Sequence, residues 1–123
     1  MIDDAVGKIM AAAPDAMIIF TSDHGLSLGH HGFWGHGGAT WPSNLHRAAH
    51  SIPLIIQHAN VVKASSRSSL LVSNTDLYAT LLDYVDGTTN PDLPSRSFAN
   101  LLKGEDLVSW GDDEVYAEQE RHE

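Results

Sequence analysis

The sequence has 123 residues, 42% of them apolar, and sets 16 acidic side chains against 7 Lys/Arg for a formal charge of −9. That is the length of one ordinary domain with enough apolar material for a core, and its acidity argues against general nucleic-acid binding, which needs clustered Lys and Arg. With no cysteine, the chain itself can hold no disulfide, thiolate metal site, iron–sulfur cluster or Cys nucleophile.

Ile2, Ala5, Val6, Ile9, Met10 and Ala13 recur on one face of a 3.6-residue period, which predicts an amphipathic helix broken at Pro14-Asp15. Its acidic start (Asp3, Asp4) lacks the cationic region of a signal peptide, so compartment cannot be read from it. No apolar run approaches the roughly 20 residues of a membrane span. Ala16 to Thr21 is a short apolar run without alternation, the pattern of a strand covered on both faces by helices. Residues 22–51 hold six glycines and little periodicity, and read as a long loop, which in a compact domain is usually functional or disordered. Pro53 opens a second strand, Leu54-Ile55-Ile56. A second helix is signalled by Ser73 or Asn74 as cap, Asp76 in the first turn and Gly87 after the end, with Leu77, Leu81 and Val85, flanked by Tyr78 and Leu82, as its buried face. Phe98, Leu101 and Leu102 suggest a helical turn ending near Gly104, and Val115-Tyr116-Ala117 a last strand in an acidic tail. Helix, turn and buried strand together define an α/β class.

Charge is unevenly spread. From His24 to Thr75 there is no Asp or Glu, while Arg47, Lys63 and Arg67 make the stretch +3 and leave −12 for the rest. Seven of the eight histidines (24, 30, 31, 36, 46, 50 and 58) lie in that stretch. It starts at the end of the first strand, Thr21-Ser22-Asp23-His24-Gly25, where ligands bind in open α/β sheets. A carboxylate beside an imidazole there is a credible pair of metal ligands, although the dipeptide alone reads more readily as Asp23 capping the following turn beside an exposed His24.

The stretch Thr21 to Gly37 resembles the sulfatase family of the alkaline phosphatase superfamily. It supplies Asp23-His24-Gly25, Leu28-Gly29-His30-His31-Gly32 and Trp34-Gly35, followed by Ile52-Pro53-Leu54-Ile55-Ile56. Val72 to Asp83 and Arg96-Ser97 with Leu101 to Gly104 continue the likeness in collinear order. The resemblance implies a three-layer domain with a mixed, mostly parallel sheet flanked by helices. It implies a hydrolase of sulfuric esters whose divalent cation, usually Ca²⁺, is held by Asp23 and His24. Where the family places a sulfate-binding lysine, this chain has His36, whose imidazolium can do the same electrostatic work while protonated. His31 matches a family histidine expected to shape the site or contact substrate. Trp41, His46 and Arg47 occupy a region that often contacts substrate, and His30, His46, His50 and His58 read as surface or packing residues.

The family nucleophile, a Cys or Ser oxidised to formylglycine in a C/S-x-P-x-R motif, is not found in this sequence. The one matching frame, Asp92-Leu93-Pro94-Ser95-Arg96, starts with Asp. Residues 1–123 are therefore expected to be an incomplete catalytic domain, with the nucleophile and first metal ligands upstream, and inactive alone. The expected substrate of the intact protein is a small-molecule or carbohydrate sulfate ester. Two other readings stand beside this one: a phosphodiester or phosphonate monoester hydrolase of the same superfamily, and a non-catalytic, histidine-rich metal-binding module.

Overall fold

A computed structural model describes residues 1–40, 42–88, 90–107 and 110. The expected strand at Val115 to Ala117 and the Trp41 contact lie outside the described residues. The chain divides into two units, one of residues 1–18 with the described residues from 56 onward, the other of residues 19–55. The described residues form both helices and short strands, an α/β class, but the strands pair as two two-stranded sheets, one of them antiparallel, and a three-layer, mostly parallel sheet is not seen among them. No helix among the described residues is long and apolar enough to cross a membrane.

In the first unit, α1 (Ile2–Ala12) forms where its period predicts, and the chain leaves the helix two residues before Pro14. Its apolar face is laid out as expected, but no α1 residue is buried. Helix α3 (Asp76–Tyr84) follows the long connection, and α4 (Ala99–Leu102) packs against it. Gly104 ends α4 at φ 82, a conformation that favours glycine.

The buried face of α3 is not the leucine stripe that hydropathy selects. Asp76, Ala79 and Thr80 are buried, whereas Tyr78 and Leu81 are exposed and Val85 is 69% exposed. Hydrogen bonding decides the matter. The Asp76 carboxylate, 2% exposed, accepts the Ser73 N–H at 2.9 Å and the Arg96 N–H at 2.9 Å. One turn on, the Thr80 hydroxyl donates to the Asp76 carbonyl at 2.7 Å and accepts the Phe98 N–H at 3.1 Å. Small side chains at 79 and 80 let segment 96–99 approach closely enough to close these bonds, and an unpaired buried carboxylate would be far more costly than an exposed leucine. Arg96 then lies over the Trp110 ring at 4.4 Å and donates to the Trp110 carbonyl at 2.8 Å.

The second unit holds most of β1 (Ile18–Thr21) and the first half of β4 (Leu54–Gln57), strands that pair with each other as a two-stranded sheet. Cover on both faces, expected from the unbroken apolar runs, is absent among the described residues, since Phe20 is 43% and Ile55 61% exposed. The stretch expected to be a long loop is more ordered than its composition suggests. Strands β2 (Ser27–Leu28) and β3 (Trp34–Gly35) form an antiparallel hairpin in the register Ser27↔Gly35, Leu28↔Trp34. Its five-residue tip closes through Gly29 N–H to the Phe33 carbonyl at 2.9 Å, with Gly29 at φ 88 and Gly32 at φ 82. Strands of two residues carry no readable alternation, so the sequence pattern could not reveal them.

Candidate metal and anion site

The site is built at the end of β1. Gly25 donates its N–H to the Ala49 carbonyl at 2.9 Å, tying the strand end to the short helix α2 (Arg47–His50). A Cβ at residue 25 would sit on the Ala48 carbonyl oxygen and 2.8 Å from the Ala49 carbonyl carbon, so only glycine passes there. Asp23 and His24 are thereby held in the open, immediately before a fixed point.

Their donor atoms converge. His24 Nδ1 lies 2.8 Å from the Gly25 carbonyl, and a carbonyl only accepts, so Nδ1 carries the proton. The other nitrogen, Nε2, keeps its lone pair when the ring is neutral and stands 3.6 Å from Asp23 Oδ2. A backbone carbonyl fixing the tautomer is the arrangement that metal-ligating imidazoles use. Asp23 Oδ1 accepts the His24 N–H at 2.9 Å and the Ser22 hydroxyl at 3.2 Å. The His24 N–H holds the Asp23 carboxyl below its ordinary pKa, outweighing slight desolvation, and the His24 ring and Ser22 hydroxyl act in the same direction. The carboxylate is thus kept ionised, as a ligand must be.

Two donors 3.6 Å apart suit one cation. With Ca–O distances of about 2.3–2.6 Å they subtend about 90–100° at the ion. With zinc-type distances of about 2.0–2.2 Å they subtend about 110–130°. The pair therefore fits as two ligands of either ion. Among the described residues no group of three or more His, Cys, Asp or Glu is arranged to hold a metal. Asp23 and His24 are two candidate ligands and do not by themselves complete a metal site.

His36 joins this pair. It leaves β3 with its ring 4.3 Å from that of His24, tilted 30°. A buried knot behind it sets its position. Gly37 accepts the Asn44 N–H at 3.2 Å, and a Cβ at residue 37 would meet the Asn44 carbonyl oxygen at 2.8 Å. The Thr40 hydroxyl lies 3.0 Å from the Gly37 carbonyl and 2.9 Å from that of Pro42, and accepts Asn44 Nδ2 at 2.8 Å. His50 Nε2 donates to the Asn44 carbonyl at 3.1 Å. Sequence reasoning did not single out Thr40 and Asn44, because a buried Thr/Asn pair has the same composition as an exposed turn.

His31 goes elsewhere. Its ring stacks on His46 at 4.1 Å and 17°, with Phe33 against the other member of the pair at 5.5 Å. The remaining described histidines have separate partners: His30 Nδ1 accepts the Leu28 N–H at 3.2 Å, and His58 is hydrogen-bonded to the Tyr84 hydroxyl at 2.6 Å. Arg47 is exposed in the first turn of α2. A shallow groove lined by Thr75, Tyr78, Leu93, Pro94 and Ser95 includes none of these residues.

Comparison with known proteins gives the class. A sulfatase family model matches residues 1–88, and the chain belongs to the sulfatase family. It is also similar to an N-acetylglucosamine-6-O-sulfatase of Bacteroides thetaiotaomicron, 26% identical over 110 residues. The match takes in 85% of this chain and 19% of that protein, so the chain spans about a fifth of the relative's length.

Proposed function

We propose that this chain contributes metal-binding and anion-binding residues to a sulfuric ester hydrolase, within an incomplete catalytic domain spanning residues 1–123. The observation that carries the reading is the convergence of Asp23 Oδ2 and His24 Nε2 at 3.6 Å, with the His36 ring directly against His24. In this reading the β1–β4 pair belongs to the larger, mostly parallel sheet of a three-layer alkaline phosphatase-like domain. The nucleophile, a formylglycine, is supplied from outside this sequence, which has no cysteine. The substrate is a sulfate ester, and the likeness to an enzyme named for N-acetylglucosamine favours a carbohydrate ester.

Asp23 and His24 would hold a divalent cation, Ca²⁺ being the family's usual choice. When bound, that ion supplies Lewis-acid attraction for a sulfate oxygen. The residues of this chain do the rest of the local work. Asp23 contributes a fixed negative charge and His24 a nitrogen whose direction the Gly25 carbonyl sets. His36 presents a ring N–H to the sulfate or to the bridging ester oxygen, where charge develops as the alcohol leaves. His31 is a substrate-binding residue, acting through the part of the substrate that is not sulfate.

A paramagnetic titration tests the reading. Mn²⁺ accepts the oxygen and imidazole ligands proposed here, and should selectively broaden the His24 and His36 imidazole NMR signals of the 123-residue chain. Asp23→Ala should abolish the broadening, and Ca²⁺ should compete with it. Uniform broadening of all eight histidines, or none at His24, would refute the site.

A further inference from the structure

The β2–β3 hairpin carries imidazole pairs at both ends. At its base His36 meets His24, the pair used above. At its tip His31 and His46 stack at 4.1 Å and 17°, with Phe33 tilted 45° against His46. His31 and His46 are both exposed and Phe33 is half-buried, so the three rings form an aromatic surface open to solvent.

Both members are held in place. His31 has φ 55 and ψ 22, a left-handed conformation that a non-glycine residue rarely adopts. Glycines stand at 29 and 32 in the same turn, and a glycine at 31 would take this conformation without strain. A strained histidine whose ring is aimed at a partner points to use of the ring. His46 is set by Asn44, whose Oδ1 accepts the His46 N–H at 3.3 Å and which is itself buried on Thr40. The surface is therefore preformed.

We propose that His31, His46 and Phe33 form a platform for the sugar ring of a sulfated saccharide, lying against its C–H face while imidazole N–H groups meet its hydroxyls. The proposal rests on the sulfate reading above and adds where the alcohol half of the ester binds. A sugar fits better than a purely apolar group because the stacked imidazoles present polar edges as well as flat faces. The spacing also agrees. At about 3.3 Å per strand residue, the base and tip of this hairpin are on the order of 10 Å apart, which one sugar ring with an exocyclic ester can bridge.

The test follows the imidazole NMR signals of the 123-residue chain against three probes. The methyl glycoside of N-acetylglucosamine should move His31 and His46 but not His36. Methyl sulfate should move His36 but not His31, and N-acetylglucosamine 6-sulfate should move both sets. His31→Asn suits the left-handed backbone while removing the ring. It should weaken sugar binding about fivefold and leave the methyl sulfate response intact. His46→Phe, which keeps a flat ring, should retain binding that His46→Ala loses. Sugar binding that leaves His31 and His46 unmoved, or that survives His31→Asn unchanged, would overturn the proposal. Phenyl sulfate moving the pair when the glycoside does not would overturn it in favour of an aryl ester. A glycoside response at the tip without a methyl sulfate response at His36 would support the platform and count against the sulfate reading alone.

Discussion

Replacing Gly25 by alanine probes how the site is held without touching a proposed ligand. The added Cβ would meet the Ala48 carbonyl oxygen and lie 2.8 Å from the Ala49 carbonyl carbon, both backbone atoms of α2. Ala49 is 1% exposed, so that backbone has little room to yield. Forcing the contact open costs about 1–3 kcal/mol as overpacking. Losing the Gly25 N–H bond to the Ala49 carbonyl costs about 0.5–1.5 kcal/mol more. The alanine returns about 0.4–1 kcal/mol by restricting the unfolded chain. The net expectation is a loss of about 0.5–4 kcal/mol, read as a lower urea midpoint with unchanged slope. It should come with faster hydrogen exchange at the position-25 amide and weaker Mn²⁺ broadening at His24. A variant as stable as the parent, with that amide still protected, would show that the strand end does not depend on α2. Loss of stability with full Mn²⁺ broadening at His24 would show that it does not position the ligands.

Further substitutions test the rest of the frame by denaturant titration and amide exchange. Asp76→Asn keeps the shape but sets an NH₂ group against the N–H of Ser73 or Arg96; it should cost about 1.5–3 kcal/mol and speed exchange at Arg96. Thr80→Val leaves the buried Phe98 N–H without its acceptor and should cost about 1–3 kcal/mol. Ser27→Ala should go the other way. The Ser27 hydroxyl is fully buried and has no hydrogen-bond partner among the described residues, so its removal should be neutral or stabilising by up to about 1 kcal/mol. A loss above about 1 kcal/mol there would reveal a partner for the hydroxyl.

The elements legible in the sequence were those specified by local signals. Pro14 and the 3.6-residue period located α1, Pro53 and three aliphatic residues located β4, and Gly87 and Gly104 marked the ends of α3 and α4. Asp23 and His24 stand out at the end of a strand, but only the family resemblance nominated them as ligands and His36 beside them; in the structure the three side chains lie close together. Features that depend on partners distant in sequence were not legible. The α3 stripe of Leu77, Leu81 and Val85 looks like a buried face to any hydropathy argument. The Asp76 carboxylate instead turns the helix toward the Arg96 amide 20 residues away. The pairing of His31 with His46 requires a left-handed turn at one residue and a buried Thr40–Asn44 contact beside the other. Nothing in a run of histidines and glycines announces either.

This distinction also accounts for the acid-free strip. Its positive balance favours an anion in general, but charge alone would spread that preference over all seven histidines. The backbone sorts them. Gly25 and Gly37 admit close contacts that set His24 and His36 side by side, while the turn between Gly29 and Gly32 carries His31 to the far end of the hairpin, against His46. One strip thus carries two imidazole clusters of different surroundings: a pair beside a carboxylate, which we propose for the charged half of an ester, and a stacked pair beside a phenyl ring, which we propose for the half that leaves. Exchanging His36 and Phe33 would conserve composition and net charge, so a charge-driven account expects sulfate and sugar binding to survive. The positional account expects sulfate binding to be lost with the ring N–H at residue 36, and the methyl sulfate probe above separates the two.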